Sequence, residues 1–201
     1  MQWRDLFDEQ HSHVNSAELG PVPFSYQDLV VAGLDAAQLR CVPGPRLNSI
    51  VWLLWHMARC EDAAVNAVIC GGDQVLDDGW RRDLRVDRAD IGTGMTAPEV
   101  AALSAAVDVD ALLAYRLAVA RQTRVALSTL DDQRLSVPAM ASSQVQHLHD
   151  LGLFGPHAAH IPPFWSTKPL RWFLWLPTGH CYAHLGEAVT VRSQLEAMDS
   201  R

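Results

Sequence analysis

Residues 178–187 of the chain read TGHCYAHLGE, and this stretch organises the sequence around a pair of histidines. Its Ala, Leu and Glu content, which continues downstream, predicts a helix with His180 and His184 one turn apart on one face and Glu187 following on that face. Two imidazoles at this spacing can close on one metal ion without bending the backbone, because their Cβ atoms are only about 5–6 Å apart. A tight site needs at least one further ligand from elsewhere in the chain.

The best source of that ligand is a strongly apolar helix predicted from Asn48, a good N-cap, to Ile69, where Gly71-Gly72 ends it. Its inner face is apolar except at His56. The other residues of that face are Trp52, Leu53, Cys60, Ala63, Ala64 and Ala67. Burying an unpaired imidazole costs on the order of 1–3 kcal/mol, so His56 needs a partner. That partner is either a hydrogen-bonding group of the core or a metal ion, and the pattern by itself leaves both open.

The helical pattern extends over most of the chain. Main helices are predicted at 25–42, 48–69, 108–127 and 167–198, with a short helix at 96–106. Pro177 lies inside the last of them and removes the backbone hydrogen bond to Phe173, so a kink is expected just before the histidine pair. Because no alternating strand pattern is present, the sequence predicts an all-α fold, a four-helix bundle with the apolar helix faces turned inwards.

Domain organisation follows from the same pattern. Residues 1–23 are interpreted as an N-terminal arm with a short helix, and residues 24–201 as the bundle domain. Within it, residues 131–167 have no sustained period and form a long loop or lid before the last helix, as functional loops often do. The roles of the histidines in this segment stay open. They are His147, His149, His157 and His160. On the helix at 108–127, the arginines at 116, 121 and 124 are expected to face mainly solvent or an anionic partner.

Composition excludes several classes of function. A formal net charge of −7, with the 16 basic residues scattered along the chain, argues against a nucleic-acid surface. The charged start of the sequence does not match a secretory signal, and no segment reaches about 18 uninterrupted apolar residues, so we expect a cytoplasmic protein with no membrane partner. The four cysteines, Cys41, Cys60, Cys70 and Cys181, show no Cys-x-x-Cys motif, and no disulfide framework is expected.

The two histidine motifs together resemble a known family. NSIVWLLWHMARCED at 48–62, followed by GHCYAHLGE at 179–187, is similar to the DinB-like (DinB/YfiT) superfamily of metal-dependent four-helix proteins, over roughly residues 24–198. The resemblance implies a bundle, often dimeric, and a divalent metal ion. The one-plus-two histidine motif of the family falls here on His56, His180 and His184. Zinc is the first candidate, while nickel, iron and manganese also accept imidazole.

The resemblance also implies chemistries. Some members attach a low-molecular-weight thiol, such as mycothiol, bacillithiol or glutathione, to electrophiles. We therefore expect a thiol S-transferase that acts on a small-molecule substrate. Alternatives are a metal-dependent hydrolase of small substrates and a non-catalytic metal-binding or interaction protein.

Individual side chains keep more than one interpretation. Glu187 is the candidate catalytic residue, as orienter of an imidazole or proton acceptor, unless it is an ordinary solvent-facing residue. Cys60 could be a fourth ligand or a core residue, whereas Cys181 points about 100° away from His180 on a helix and is excluded. Three arginines could bind substrate carboxylates or pair with acidic residues of their own helices. They are Arg59, Arg171 and Arg192.

Overall fold

The structure, a computed structural model, describes residues 2–20 and 22–199, and every regular element in these ranges is a helix. The α-helices are α1 (Trp3–Val14), α2 (Tyr26–Val31), α3 (Ala36–Arg40), α4 (Ile50–Asp62), α5 (Asp78–Leu84), α6 (Ala97–Ala106), α7 (Val109–Ser128), α8 (Ser142–Asp150), α9 (Ile161–Ser166) and α10 (Cys181–Asp199). The predicted all-α class is confirmed. In the described part of the chain, none of these helices combines the length and apolarity that a bilayer crossing requires.

Helix α4 lies at the centre of the molecule. It begins after Ser49, whose side chain accepts a hydrogen bond from the backbone N–H of Trp52 at 2.9 Å, one residue later than the predicted cap. All of its residues are buried, and it continues without interruption into a π-helical segment, Ala63–Ile69, that is also buried. Helices α7 and α10 both pack against α4. A side chain on α4 can therefore reach the interior between several elements.

Helix α1 is joined to this centre by a buried polar contact. Nε2 of His11 lies 2.8 Å from Oε1 of Glu61 on α4, and both side chains are fully buried. Helix α1 also packs against α7 and α2. The helix expected in the N-terminal arm is thus present, and its inner face contributes to the packed interior.

The prediction that Arg116 faces solvent is wrong. Its side chain is fully buried, where Nε donates to the side-chain oxygen of Gln27 and Nη2 donates to the carbonyl of Val14 at 2.8 Å. Arg121 on the same helix is exposed and lies 3.7 Å from Glu18, as expected. The difference arises because the last residue of α1, Val14, and a residue of α2, Gln27, supply acceptors on one side of α7.

The predicted first helix, 25–42, is also wrong in its continuity. The chain leaves the helix after Val31 and passes through Gly33, which has φ of +74°, before α3 begins. Asp35 caps α3 by accepting from the N–H of Gln38 at 2.8 Å. A left-handed glycine and a new N-cap outweigh the helical spacing of the apolar residues here.

The last predicted helix is divided in three. Leu170–Trp175 is 3₁₀-helical, Leu176–His180 forms a π-helical turn around Pro177, and α10 follows directly. At Pro177, where a kink is predicted, the chain thus departs from regular α-helix in a π-helical turn that ends at His180. The long segment before it, 131–167, carries α8, α9 and a short 3₁₀ helix, Asp132–Ser136, joined by turns.

Candidate metal centre

The structure brings three histidines from distant parts of the chain to one point. His56 on α4 meets His180, at the end of the π-helical turn, and His184, in the first turn of α10. One ligand nitrogen from each ring lies within 4.8 Å of the others. The centroid of the His56 ring is 5.0 Å from that of His180 and 4.9 Å from that of His184. His56 is buried, and the other two are partly exposed. The cluster therefore lies at the edge of the bundle core, with one side towards solvent.

His56 is held by contacts on two sides. Its Nδ1 donates to the backbone carbonyl of Ile91, which leaves Nε2 as the nitrogen with a free lone pair. The indole of Trp52, one turn earlier on α4, stacks on the ring at 4.8 Å between centroids and 13° between planes. Burial, helped by the neighbouring His184, lowers the pKa of His56 to about 4. The ring is neutral near pH 7, as a metal ligand must be.

The carbonyl that holds His56 is presented by a tight turn. Oδ1 of Asp90 accepts from the N–H of Gly92 at 2.7 Å, and Gly92 has φ of +80°. A Cβ at residue 92 would come within 2.5 Å of the ring of Trp55. Only glycine fits this conformation and this space, so Gly92 indirectly fixes where the Ile91 carbonyl points.

His180 and His184 face each other one turn apart. Their Nε2 atoms are 3.1 Å from one another, close to the separation of about 3.3 Å expected for two nitrogens that each lie about 2.0–2.1 Å from one tetrahedral ion. Burial, together with His56 and His184, lowers the pKa of His180 to about 2. Its Nδ1 is buried and has no hydrogen-bond partner among the described residues. Among the described residues, the polar contact of this ring therefore runs through Nε2, the nitrogen that faces His184.

Glu187 and Asn48 complete the support of His184. The carboxylate Oε2 of Glu187 accepts from Nδ1 of His184 at 3.2 Å, and Oε1 accepts from Nδ2 of Asn48 at 3.0 Å. These hydrogen bonds, that of His184 first, lower the pKa of Glu187. A carboxylate on Nδ1 leaves Nε2 of His184 bare and directed at His180, the arrangement found around metal-ligating histidines. Three imidazoles whose ring nitrogens converge in this way fit a divalent ion with positions left open.

The cysteines take no part in this cluster. Sγ of Cys60 is 3.7 Å from Nδ1 and 3.8 Å from Nε2 of His56, and burial raises the pKa of this thiol in the metal-free protein. It is not among the ligand atoms that converge within 4.8 Å of one another. Cys181 donates through Sγ to the carbonyl of Leu176 at 3.4 Å, and burial raises its pKa to about 11. Both are packed thiols beside the histidines, in agreement with the core interpretation of Cys60 and the exclusion of Cys181.

The histidines of residues 131–167 and two of the arginines considered for substrate binding make their contacts outside the three-histidine cluster. His149 contacts Phe154 edge-on, with 5.0 Å between ring centroids and 63° between planes, and the other three histidines of residues 131–167 also remain outside the three-histidine cluster. Nη1 of Arg59 pairs with Asp62 at 2.9 Å in the core, and Nε of Arg192 pairs with Glu196 at 2.9 Å on the surface. For Arg59 and Arg192 the structure supports the interpretation as pairs within their own helices, while the interpretation of Arg171 stays a prediction.

The sequence motifs do not indicate the part that two groups play in this site. Asn48 was identified only as a helix cap, yet it holds Glu187 from 139 residues away in the chain. The Ile91 carbonyl lies in a segment without periodicity and reaches a histidine 35 residues earlier. Both contacts depend on tertiary packing, which no local pattern records.

Comparison with known proteins agrees with this architecture. A family model described as the DinB superfamily matches residues 26–188. A solved structure, the conserved protein of locus from Enterococcus faecalis, superposes with a TM-score of 0.68 at 18% identity, over 98% of this chain and 99% of that chain. At this identity the likeness shows a shared fold. No curated protein matches the sequence.

Proposed function

The chain belongs to the DinB superfamily, and we propose that it holds a divalent metal ion on His56, His180 and His184 and transfers a low-molecular-weight thiol to a small electrophile. The observation that carries the proposal is the convergence of these three imidazoles within 4.8 Å. Zinc is the first candidate for the ion, and the thiol would be of the mycothiol, bacillithiol or glutathione type.

The chemistry that needs such a site is thiol activation. A free thiol has a pKa near 8.5 and is mostly protonated at neutral pH. A divalent ion held by three neutral imidazoles keeps its positive charge and would stabilise the thiolate form of a bound thiol. In the transfer, the thiol sulfur forms a bond to the electrophilic carbon, the leaving group departs with its bonding electrons, and the thiol proton passes to water.

The residues around the histidines have positioning roles in this proposal. Glu187 and Asn48 hold the ring of His184, and the Ile91 carbonyl holds that of His56. Because its hydrogen bonds lower the pKa of Glu187, this carboxylate is a weak base. Of its two proposed roles, orienting His184 is the better supported. Trp52 covers one face of His56 and excludes water from it.

Elemental analysis of untagged protein is the first test. We expect about one divalent ion per chain in the wild type and loss of that ion in a His56→Ala variant that keeps its helical circular dichroism. Retention of the ion by the variant would contradict the proposal. Turnover of a chromogenic electrophile by the metal-loaded protein should depend on added thiol, whereas thiol-independent turnover would indicate hydrolysis by the same centre.

A further inference from the structure

A second feature of the surface adjoins the histidine cluster. A groove of about 450 Å³ lies between α1 and the turn that precedes α10. Aromatic and aliphatic side chains dominate its walls, among them Trp3, Leu6, Phe7, Trp175 and Tyr182. None of its nine lining residues is charged, on a chain in which 19% of residues carry a charge. A volume of this size is typical of small-molecule sites.

Trp175 is shared between this groove and the histidine cluster. Its indole lines the groove and meets the ring of His180 at 5.6 Å between centroids, at an angle of 68°. The indole lies directly on Gly179, where an added Cβ would be 2.1 Å from Nε1 of Trp175. Gly179 therefore permits the position of the ring that forms the end of the groove. Because Trp175 both lines the groove and contacts the ring of His180, this end of the groove lies beside one of the proposed metal ligands.

Helix α1 supplies the opposite wall of the groove. The hydroxyl of Tyr182 donates to Oε1 of Gln10 on α1 at 3.0 Å, which closes the groove between the two elements. Leu6, on α1, lines the groove and is 48% exposed. An apolar side chain this exposed, beside two indoles and a phenyl ring, offers contact area to an uncharged planar ligand.

We propose that this groove binds the uncharged, aromatic part of the electrophile, with the reacting carbon extending past Trp175 towards the histidines. This inference rests on the proposed transferase function and specifies its substrate class. Leu6 and Trp175 would then select for apolar substrates, while the histidines would act on any electrophile that reaches them.

The test uses one binding probe and two electrophiles. N-phenylnaphthylamine, a neutral fluorophore, reports on the groove without metal or thiol. Monobromobimane is a bulky uncharged electrophile, and iodoacetamide is a small one that needs no groove. With glutathione, mycothiol or bacillithiol as thiol, a sulfur–carbon bond forms in each case, bromide or iodide leaves with the bonding electrons, and the thiol proton goes to water.

Leu6→Asp and Leu6→Trp are the informative variants, since one places a charge in the groove and the other fills it. Leu29→Asp is the matched control, because Leu29 is a similarly exposed leucine, at 56%, that does not line the groove. We expect both Leu6 variants to weaken probe binding by about tenfold or more and to lower kcat/KM for bromobimane by a similar factor relative to iodoacetamide. Leu29→Asp should change neither.

Wild-type probe binding by the Leu6 variants, or equal weakening by Leu29→Asp, would overturn the groove assignment. An unchanged bromobimane-to-iodoacetamide ratio would overturn the electrophile assignment even if the probe binds there. If the metal-loaded wild type does not accelerate the displacement of iodide from iodoacetamide by the thiol, the proposed transferase function is instead overturned. The two failures are therefore distinguishable.

Discussion

Oε2 of Glu187 accepts a hydrogen bond from Nδ1 of His184 at 3.2 Å, and Oε1 of the same carboxylate is held by Asn48 at 3.0 Å. A loop residue beside α4 thereby fixes the orientation of an imidazole on α10. Because α4 also supplies His56, and His180 ends the π-helical turn that leads into α10, the contact ties ring orientation to the packing of the bundle.

Replacing Glu187 by Gln should weaken metal binding. An amide is a poorer acceptor than a carboxylate for the His184 N–H, and outer partners of this kind typically contribute 10–100-fold to metal affinity. We expect a loss of about tenfold in competition with a chromogenic chelator. Glu196→Gln is the control, because residue 196 lies about 14 Å beyond Glu187 along the same helix. Equal affinities of the two variants would show that the carboxylate does not position His184.

Substitution of Gly92 should affect both stability and the metal site. Gly92→Ala places a residue at φ of +80° and a Cβ 2.5 Å from Trp55, so we expect a cost of about 1–3 kcal/mol and a shift of the Ile91 carbonyl. Metal affinity should fall as His56 loses its fixed orientation. Denaturant titration and chelator competition measure the two effects separately.

Gly33→Ala is the matched control for this strain. Gly33 also has positive φ, +74°, but an added Cβ there has nothing within 4 Å. We expect lower stability with unchanged metal affinity. An equal loss of metal affinity in both variants would attribute the Gly92 effect to general destabilisation.

The stability of the metal-free protein should fall on mild acidification. The folded pKa of His56 is lowered to about 4 by burial, so between about pH 6.5 and 4 the unfolded chain takes up a proton that the folded chain does not. The free energy of unfolding is therefore highest above pH 6.5 and falls by up to about 3 kcal/mol as the pH drops towards 4. Urea titrations across this range should show a shallower pH slope for His56→Asn. An unchanged slope would contradict the assignment to His56.

Breaking the buried contact between α1 and α4 should be costly. His11→Ala leaves the carboxylate of Glu61 buried without its partner 2.8 Å away, and we expect a loss of about 3–5 kcal/mol in the free energy of unfolding. Removing both groups, as His11→Leu with Glu61→Leu, should recover much of that loss. Arg121→Ala, which breaks an exposed pair with Glu18, should cost under about 1 kcal/mol. A small effect of His11→Ala in urea denaturation would show that α1 is only loosely held.

Local patterns predicted the helices that carry their own start signals. Asp108 caps α7 by accepting from the N–H of Ala111 at 3.1 Å, and Thr96 with Glu99 forms a capping box at α6. The kink near Pro177 also follows from chain chemistry, since proline lacks the backbone donor. These features depend on residues within one turn of each other, which is why they can be recognised without a structure.

Burial of charge was not predictable in the same way. Arg116 and Arg121 lie on one helix and look alike in sequence, yet one is fully buried and the other is exposed. The acceptors that stabilise Arg116 come from Gln27 and Val14, 89 and 102 residues away. Spacing along α7 carries no information about which elements will cover it.

The sequence by itself determined the all-α class, the apolar central helix and the placement of His180 and His184 on one helical face, because these depend on periodicity and on neighbours one turn away. Only the tertiary structure decided that His56 meets that pair, that Asn48 and the Ile91 carbonyl orient the rings, and that a groove adjoins them. Those relationships join segments 35 to 139 residues apart. They exist because packing of the bundle, rather than any local preference, sets which side chains come together.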